Sequence, residues 1–144
     1  MQAEPFRILL VEDNDADVYL LRKALENAAL NFELIVIDDG ADALDYVRNE
    51  GNFSGEARPD VAVLDMNLPK SEGTEVLEAL RRNERFSGVP VVVLTSSASP
   101  AERLRMERLG VQRFITKPPD LEEFLQIGNV VAELLYQAKS REAS

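Results

Sequence analysis

The sequence predicts an α/β fold, a doubly wound five-stranded parallel sheet with the elements in (βα)5 order. Three observations carry this expectation. Short, nearly continuous apolar runs rich in Val and Ile stand at Ile8–Val11, Val61–Leu64 and Val91–Leu94, as strands buried on both faces require. Longer stretches of helical periodicity separate the runs, and alternating strands and helices imply a parallel sheet covered on both sides. The chain of 144 residues is long enough for one core and too short to divide comfortably into two.

The first strand, Ile8–Val11, is followed by Asp13-Asn14-Asp15, residues suited to capping a helix start. A helix then carries Val18, Leu21, Leu25 and Ala28 along one side. Phe32–Ile37 reads as the second strand and Ala41–Asn49 as the second helix. The segment 48–60 is polar, holds two Gly and one Pro, and reads as an extended loop. Val61–Leu64 is the third strand, and helical spacing resumes over Thr74–Asn83. Val91–Leu94 precedes a helix over Ala101–Leu109, introduced by Pro100. Arg113–Thr116 is a short fifth strand. The last helix spans Leu121–Tyr136 after Pro118-Pro119-Asp120, and residues 137–144 read as a frayed tail. Residues 1–144 are thus expected to form one domain with its core over about 6–136.

Composition removes several classes of function. With neither Cys nor His, the chain has no disulfide, no thiolate or imidazole metal site, and no Ser-His or Cys-His dyad. A net charge of −10 opposes binding to a phosphate backbone, so no nucleic-acid partner is expected. No apolar run approaches the ~20 residues that span a bilayer, and the amino terminus lacks the features of a signal peptide. A cytoplasmic location without membrane attachment is the expectation.

Chemistry then rests on carboxylates, hydroxyls and Lys. Ligands of doubly wound sheets bind beyond the carboxyl ends of the strands. The residues there are Glu12 and Asp13 after the first strand, Asp65 after the third, Thr95 and Ser96 after the fourth, and Lys117 after the fifth. Three carboxylates gathered at one edge repel unless a cation compensates. Mg²⁺ suits an all-oxygen donor set that leaves positions for water and phosphate oxygens. A carboxylate beside that cation is a candidate nucleophile toward phosphorus, with a hydroxyl and Lys placed to neutralise phosphoryl oxygens.

The segments "LLVEDN", "LDMNLPKSEG", "PVVVLTS" and "ITKP" occur in this order over roughly residues 6–136. In this the sequence resembles the response-regulator receiver domains of bacterial two-component signalling. The resemblance implies a flavodoxin-like sheet of strand order 2-1-3-4-5, with Asp65 as phosphoacceptor. It implies that Glu12 and Asp13 flank the metal, Asp13 being the more direct ligand, and that the Asn67 backbone carbonyl is a further ligand. Thr95 is expected to hydrogen-bond the phosphoryl group and Lys117 to pair with it, while small Ser96 leaves the pocket open. A cis Lys117-Pro118 bond is also implied, and Phe114 stands where the family has a switch aromatic. Glu72 departs from the Asp that many members carry there.

The implied function is that of a stand-alone response regulator, phosphorylated by a sensor histidine kinase and acting through a downstream protein or phosphotransfer partner. Only eight residues follow position 136, too few for an output domain. The long loop before Val61 and "TKPPDLEEFLQI" resemble the regulators that accompany phytochrome-type kinases. The last helix carries a wide apolar stripe, in which Ile127, Val130 and Leu134 flank Leu121, Phe124, Leu125, Val131 and Leu135. That width suggests a homodimer through the last strand and helices.

Each residue also has a plainer role open to it. Asp13 and Asp15 can cap the first helix, Asp65 can open a turn, Thr95 can end a strand, Lys117 can be a surface lysine and Phe114 can be core. Two rival functions share the fold class. A Mg²⁺-dependent phosphatase with an aspartyl nucleophile usually carries a second Asp where Asn67 stands. A non-phosphorylated module such as a flavin-binding domain would need a phosphate loop where "VEDNDAD" repels phosphate.

Overall fold

Complete burial at every position of Val61–Asp65 and Val91–Thr95 explains why these runs are almost unbroken in apolar residues. The computed structural model describes residues 4–49, 57–66, 72–96 and 99–142. In chain order the elements are β1 (Phe6–Val11), α1 (Asp15–Asn27), β2 (Phe32–Ile37), α2 (Gly40–Arg48), β3 (Val61–Asp65), α3 (Glu72–Arg82), β4 (Val91–Thr95), α4 (Pro100–Arg108), β5 (Arg113–Thr116) and α5 (Leu121–Glu142). A 3-10 turn, Glu84–Phe86, follows α3.

All pairings are parallel and the order is β2-β1-β3-β4-β5, the order the resemblance implied. Successive residues of a strand point to opposite faces, and the core divides accordingly. Leu9, Val11, Ala62, Leu64, Val91 and Val93 join Tyr46 and Val47 of α2 and Val76, Leu77 and Leu80 of α3 on one face. Ile8, Leu10, Val61, Val63, Val92 and Leu94 meet Leu21 and Leu25 of α1 and Phe124, Ile127 and Val131 of α5 on the other. Each Val, Leu, Ile or Phe side chain among them contributes about 1.5–3 kcal/mol when fully removed from water.

Local chemistry sets the helix starts. Asn14 Oδ1 accepts from the Asp17 N–H at 3.0 Å, Asp39 Oδ1 from Asp42 at 2.7 Å, Ser99 Oγ from Glu102 at 3.1 Å and Asp120 Oδ1 from Glu123 at 2.8 Å, each filling a donor that a helix start leaves open. Of the three candidates before α1, the cap is therefore Asn14.

The expected end of the last helix needs correction. The helix does not end at Tyr136 but continues to Glu142. Tyr136 packs edge-on against Phe6 at 5.8 Å and Lys139 Nζ lies 5.9 Å from the same ring, so the additional turns have something to hold. Ile127 and Leu134, which widen the apolar stripe, are both buried against this chain's own sheet and α1. A helix wedged between a sheet and a neighbouring helix needs a stripe that wide for itself.

Candidate functional site

The parallel register brings the strand ends together. Val11 lies opposite Leu64, Asp65 opposite Leu94, and Thr95 opposite Thr116. The residues at or just past these ends therefore share one edge. Glu12, Asp65 and Thr95 are each only 1% exposed, whereas Asp13 faces solvent. Backbone bonds hold the first residue past β1, β3 and β5: Glu12 N–H donates to Ile37 O at 3.0 Å, Met66 N–H to Leu94 O at 2.9 Å and Lys117 N–H to Thr95 O at 2.7 Å. Gly73 lets the first turn of α3 approach Asp65, because a Cβ there would stand 3.1 Å from the Asp65 carbonyl oxygen and 3.0 Å from Met66 Sδ.

One carboxylate oxygen from each of Glu12, Asp13 and Asp65 lies within 4.8 Å of the others. Opposite them stands Lys117. Its Nζ is 2.7 Å from Asp17 Oδ2, 3.1 Å from Glu12 Oε1 and 3.4 Å from Asp65 Oδ1. Burial pushes the Glu12 carboxyl up to about 8, helped by a hydrogen bond to Asp65 and by the charge of Asp65, against the opposing pull of Lys117. For Lys117 burial acts downward, but the Asp17 hydrogen bond and the charges of Glu12 and Asp65 outweigh it and hold the ammonium above its ordinary value.

A buried carboxyl that keeps its proton beside a second carboxylate marks a site with more negative charge than its one lysine offsets. Its donors are hard oxygens, partly open to solvent through Asp13. A divalent cation with an oxygen preference fits this set.

The structure thus brings Glu12, Asp13, Asp65, Thr95 and Lys117 to one edge. Ser96 is exposed beside them. Asn67 lies outside the described residues, as do residues 68–71. Phe114 is half-buried against the core layer of α2 and α3, with the Arg103 guanidinium 5.1 Å from its ring. The expected cis bond is corrected: every peptide bond of the described residues is trans, Lys117-Pro118 included, which is the preferred state of an X-Pro bond by about 0.5–1 kcal/mol.

Asp17 is the site residue that the sequence did not disclose. A second acidic trio, Asp38, Asp39 and Asp42, is exposed throughout. The charge of Asp39 is the main influence that raises the Asp42 carboxyl.

A doubly wound sheet with carboxylates and a lysine at its carboxyl edge is an architecture that phosphorylation-dependent signalling domains share. The chain belongs to the response regulator receiver domain family, which matches residues 8–128. Response regulator Rcp1 of Synechocystis is 35% identical over 123 residues, covering 85% of this chain and 84% of Rcp1. A probable methanogenesis regulatory protein, FilR2 of Methanothrix harundinacea, is 40% identical over 121 residues, covering 83% of this chain and 77% of FilR2.

Among solved structures, the phosphorylated cyanobacterial phytochrome response regulator RcpA superposes with a TM-score of 0.84 at 36% identity, over 92% of this chain and 95% of RcpA. The Mn²⁺-bound form of Rcp1 gives 0.80 at 34% identity, over 88% of this chain and 91% of that one. Receiver domains are signalling phosphoacceptors for histidine kinases, and membership of this family does not favour the phosphatase or flavin-module readings.

Proposed function

We propose that this chain is a single receiver unit in which Asp65 accepts a phosphoryl group from the phosphohistidine of a sensor kinase. The observation that carries the reading is the buried Asp65 at the end of β3, with Glu12, Asp13 and Lys117 around it. Glu12, Asp13, Asp65 and the Asn67 carbonyl would hold Mg²⁺, which supplies positive charge against the phosphoryl oxygens. An Asp65 carboxylate oxygen attacks phosphorus, the P–N bond breaks, and the histidine leaves as neutral imidazole after taking a proton. Lys117 pairs with the phosphoryl oxygens and the Thr95 hydroxyl donates to one of them, while β5 and β4 hold these two partners in line.

The product is a signal carried to a downstream protein or phosphotransfer partner, and no metabolite is turned over. Phe114 reports phosphorylation by repacking, since it has no hydroxyl to bond. The similarity to Rcp1, RcpA and the bacteriophytochrome response regulator RtBRR supports a phytochrome-type kinase as the donor. The chain acts in the cytoplasm, in keeping with the lack of any helix among the described residues long and apolar enough to cross a membrane. For a homodimer through the last strand and helices, the exposed large apolar residues of α4 and α5 are Leu104, Leu121 and Tyr136.

Intact-protein mass spectrometry after incubation with acetyl phosphate tests the assignment. A single phosphoryl adduct is expected with Mg²⁺, none with chelator, and none in Asp65→Asn. Labelling that persists in Asp65→Asn refutes it.

A further inference from the structure

Asp17 stands outside the carboxylate trio, yet it makes the shortest of the three contacts of the Lys117 ammonium, at 2.7 Å. The helix start explains why its carboxylate is available. Asp17 is the third residue of α1, a position from which an acidic side chain ordinarily reaches back to the N–H of the cap residue. Here the Asn14 N–H is aimed instead at Glu12 Oε2, at 3.4 Å. The Asp17 carboxylate is released toward the end of β5, while its own N–H remains bonded to Asn14 Oδ1.

An ammonium has three N–H bonds, and three carboxyl groups stand around Lys117: it donates to Glu12 and Asp17 and ion-pairs with Asp65 at 3.4 Å. They are not equivalent. The side chains of Asp65 and Glu12 lie at the buried end, 2% and 1% exposed, whereas that of Asp17 is on the outer side at 24%. Lysine is a flexible four-carbon stem carrying ~2 kcal/mol of rotamer entropy. A bond from the solvent side fixes that stem before substrate arrives, so less ordering remains for the transfer step.

We propose that Asp17 is a positioning residue for phosphoryl transfer, anchoring one N–H of Lys117 on α1 so that another is held beside Asp65 to meet the incoming phosphoryl oxygens. It takes no part in bond making or breaking. The inference rests on Asp65 being the phosphoacceptor.

The test follows Asp65 labelling over time with acetyl phosphate at saturating Mg²⁺ in wild type, Asp17→Asn, Asp17→Glu, Lys117→Ala and the double variant Asp17→Asn/Lys117→Ala. Asp17→Asn preserves side-chain size and the Asn14 cap, and melting curves check that each variant is folded. Labelling is expected to slow by about 10- to 100-fold in Asp17→Asn, since a misplacement of about 1 Å can cost about 10²-fold. Asp17→Glu should recover part of the rate. The double variant should be no slower than Lys117→Ala alone, because Asp17 acts only through that lysine.

Wild-type labelling rates in both Asp17→Asn and Asp17→Glu overturn the inference and leave the phosphoacceptor assignment standing. An equally large loss on adding Asp17→Asn to Lys117→Ala overturns it as well, because Asp17 then acts elsewhere. Wild type that takes no phosphoryl group on Asp65 defeats the phosphoacceptor reading and the inference together.

Discussion

Lys117 Nζ lies 3.4 Å from Asp65 Oδ1, farther than it lies from Asp17 or Glu12. Lys117 donates to Glu12 and Asp17 and only ion-pairs with Asp65, so a new phosphoryl oxygen can meet the ammonium without breaking the two shorter contacts. Lys117→Ala removes the cation but none of the proposed metal ligands. Mg²⁺ should bind at least as tightly, since a like charge has left the site. Phosphorylation should then produce little structural change. Hydrogen exchange of the β4–α4 and β5–α5 backbone with and without acetyl phosphate reads this out; a wild-type difference in the variant would show that Lys117 has no such role.

The pairing of Glu12 with Asp65 sets a pH dependence. Between its ordinary 4.5 and the folded value of about 8, Glu12 keeps a proton in the folded chain that the unfolded chain has released. Folding then binds protons, so stability falls as pH rises through this window and the contribution is fully present only below 4.5. In metal-free buffer with chelator, Glu12→Gln should flatten the decline by up to ~1.4 kcal/mol per pH unit. Urea unfolding of both proteins at several pH values between 5 and 8 measures the difference in slope, and parallel curves would count against a protonated Glu12.

What the sequence revealed depended on whether a feature was local. Val61–Leu64 and Val91–Leu94 were legible as central strands because burial on both faces leaves no polar position. Glu12, Asp65, Thr95 and Lys117 were legible because a doubly wound sheet makes the end of each strand a point on one edge. Asp17 was not, because its function depends on a contact with a residue 100 positions away and its place in α1 matches an ordinary acidic first turn. The destination of Ile127 and Leu134 was hidden for a similar reason. Periodicity gives the width of an apolar stripe and not what covers it, and here α1 and the sheet together cover it. The final turns of α5 looked like a tail because polar residues that suit a helix also suit a disordered end.

Gly128 marks the place where that packing is tightest. A Cβ at this position would lie 2.0 Å from the Ala24 carbonyl oxygen and 3.2 Å from the Leu25 nitrogen. Alanine gains up to ~1 kcal/mol of helix propensity over glycine, but backbone cannot yield as a side-chain tip can. Gly128→Ala should therefore be destabilising by about 1–3 kcal/mol, the usual cost of overpacking. Urea unfolding measures it, and an unchanged or raised midpoint would show that α1 and α5 can move apart freely.

Arg81 ties α3 to the far end of α4. Its guanidinium donates to Leu109 O at 2.8 Å, Gly110 O at 3.1 Å, Val89 O at 3.2 Å and Gln112 Oε1 at 3.2 Å, and burial lowers its pKa. Apart from this clasp, α4 contributes only Met106 as a fully buried residue, with a side ion pair from Arg105 to Glu78. The carbonyls of Leu109 and Val89 are satisfied from a planar fork that Lys cannot reproduce. Arg81→Ala should cost about 3 kcal/mol through lost charged hydrogen bonds and carbonyls left short of donors. Arg81→Lys should recover only part of it. The loss should be concentrated at the end of α4, so amide exchange at Leu109, Gly110 and Val111 should accelerate more than exchange in β1 or β3. Uniform acceleration across the chain would mean that Arg81 supports the whole fold and not α4 in particular.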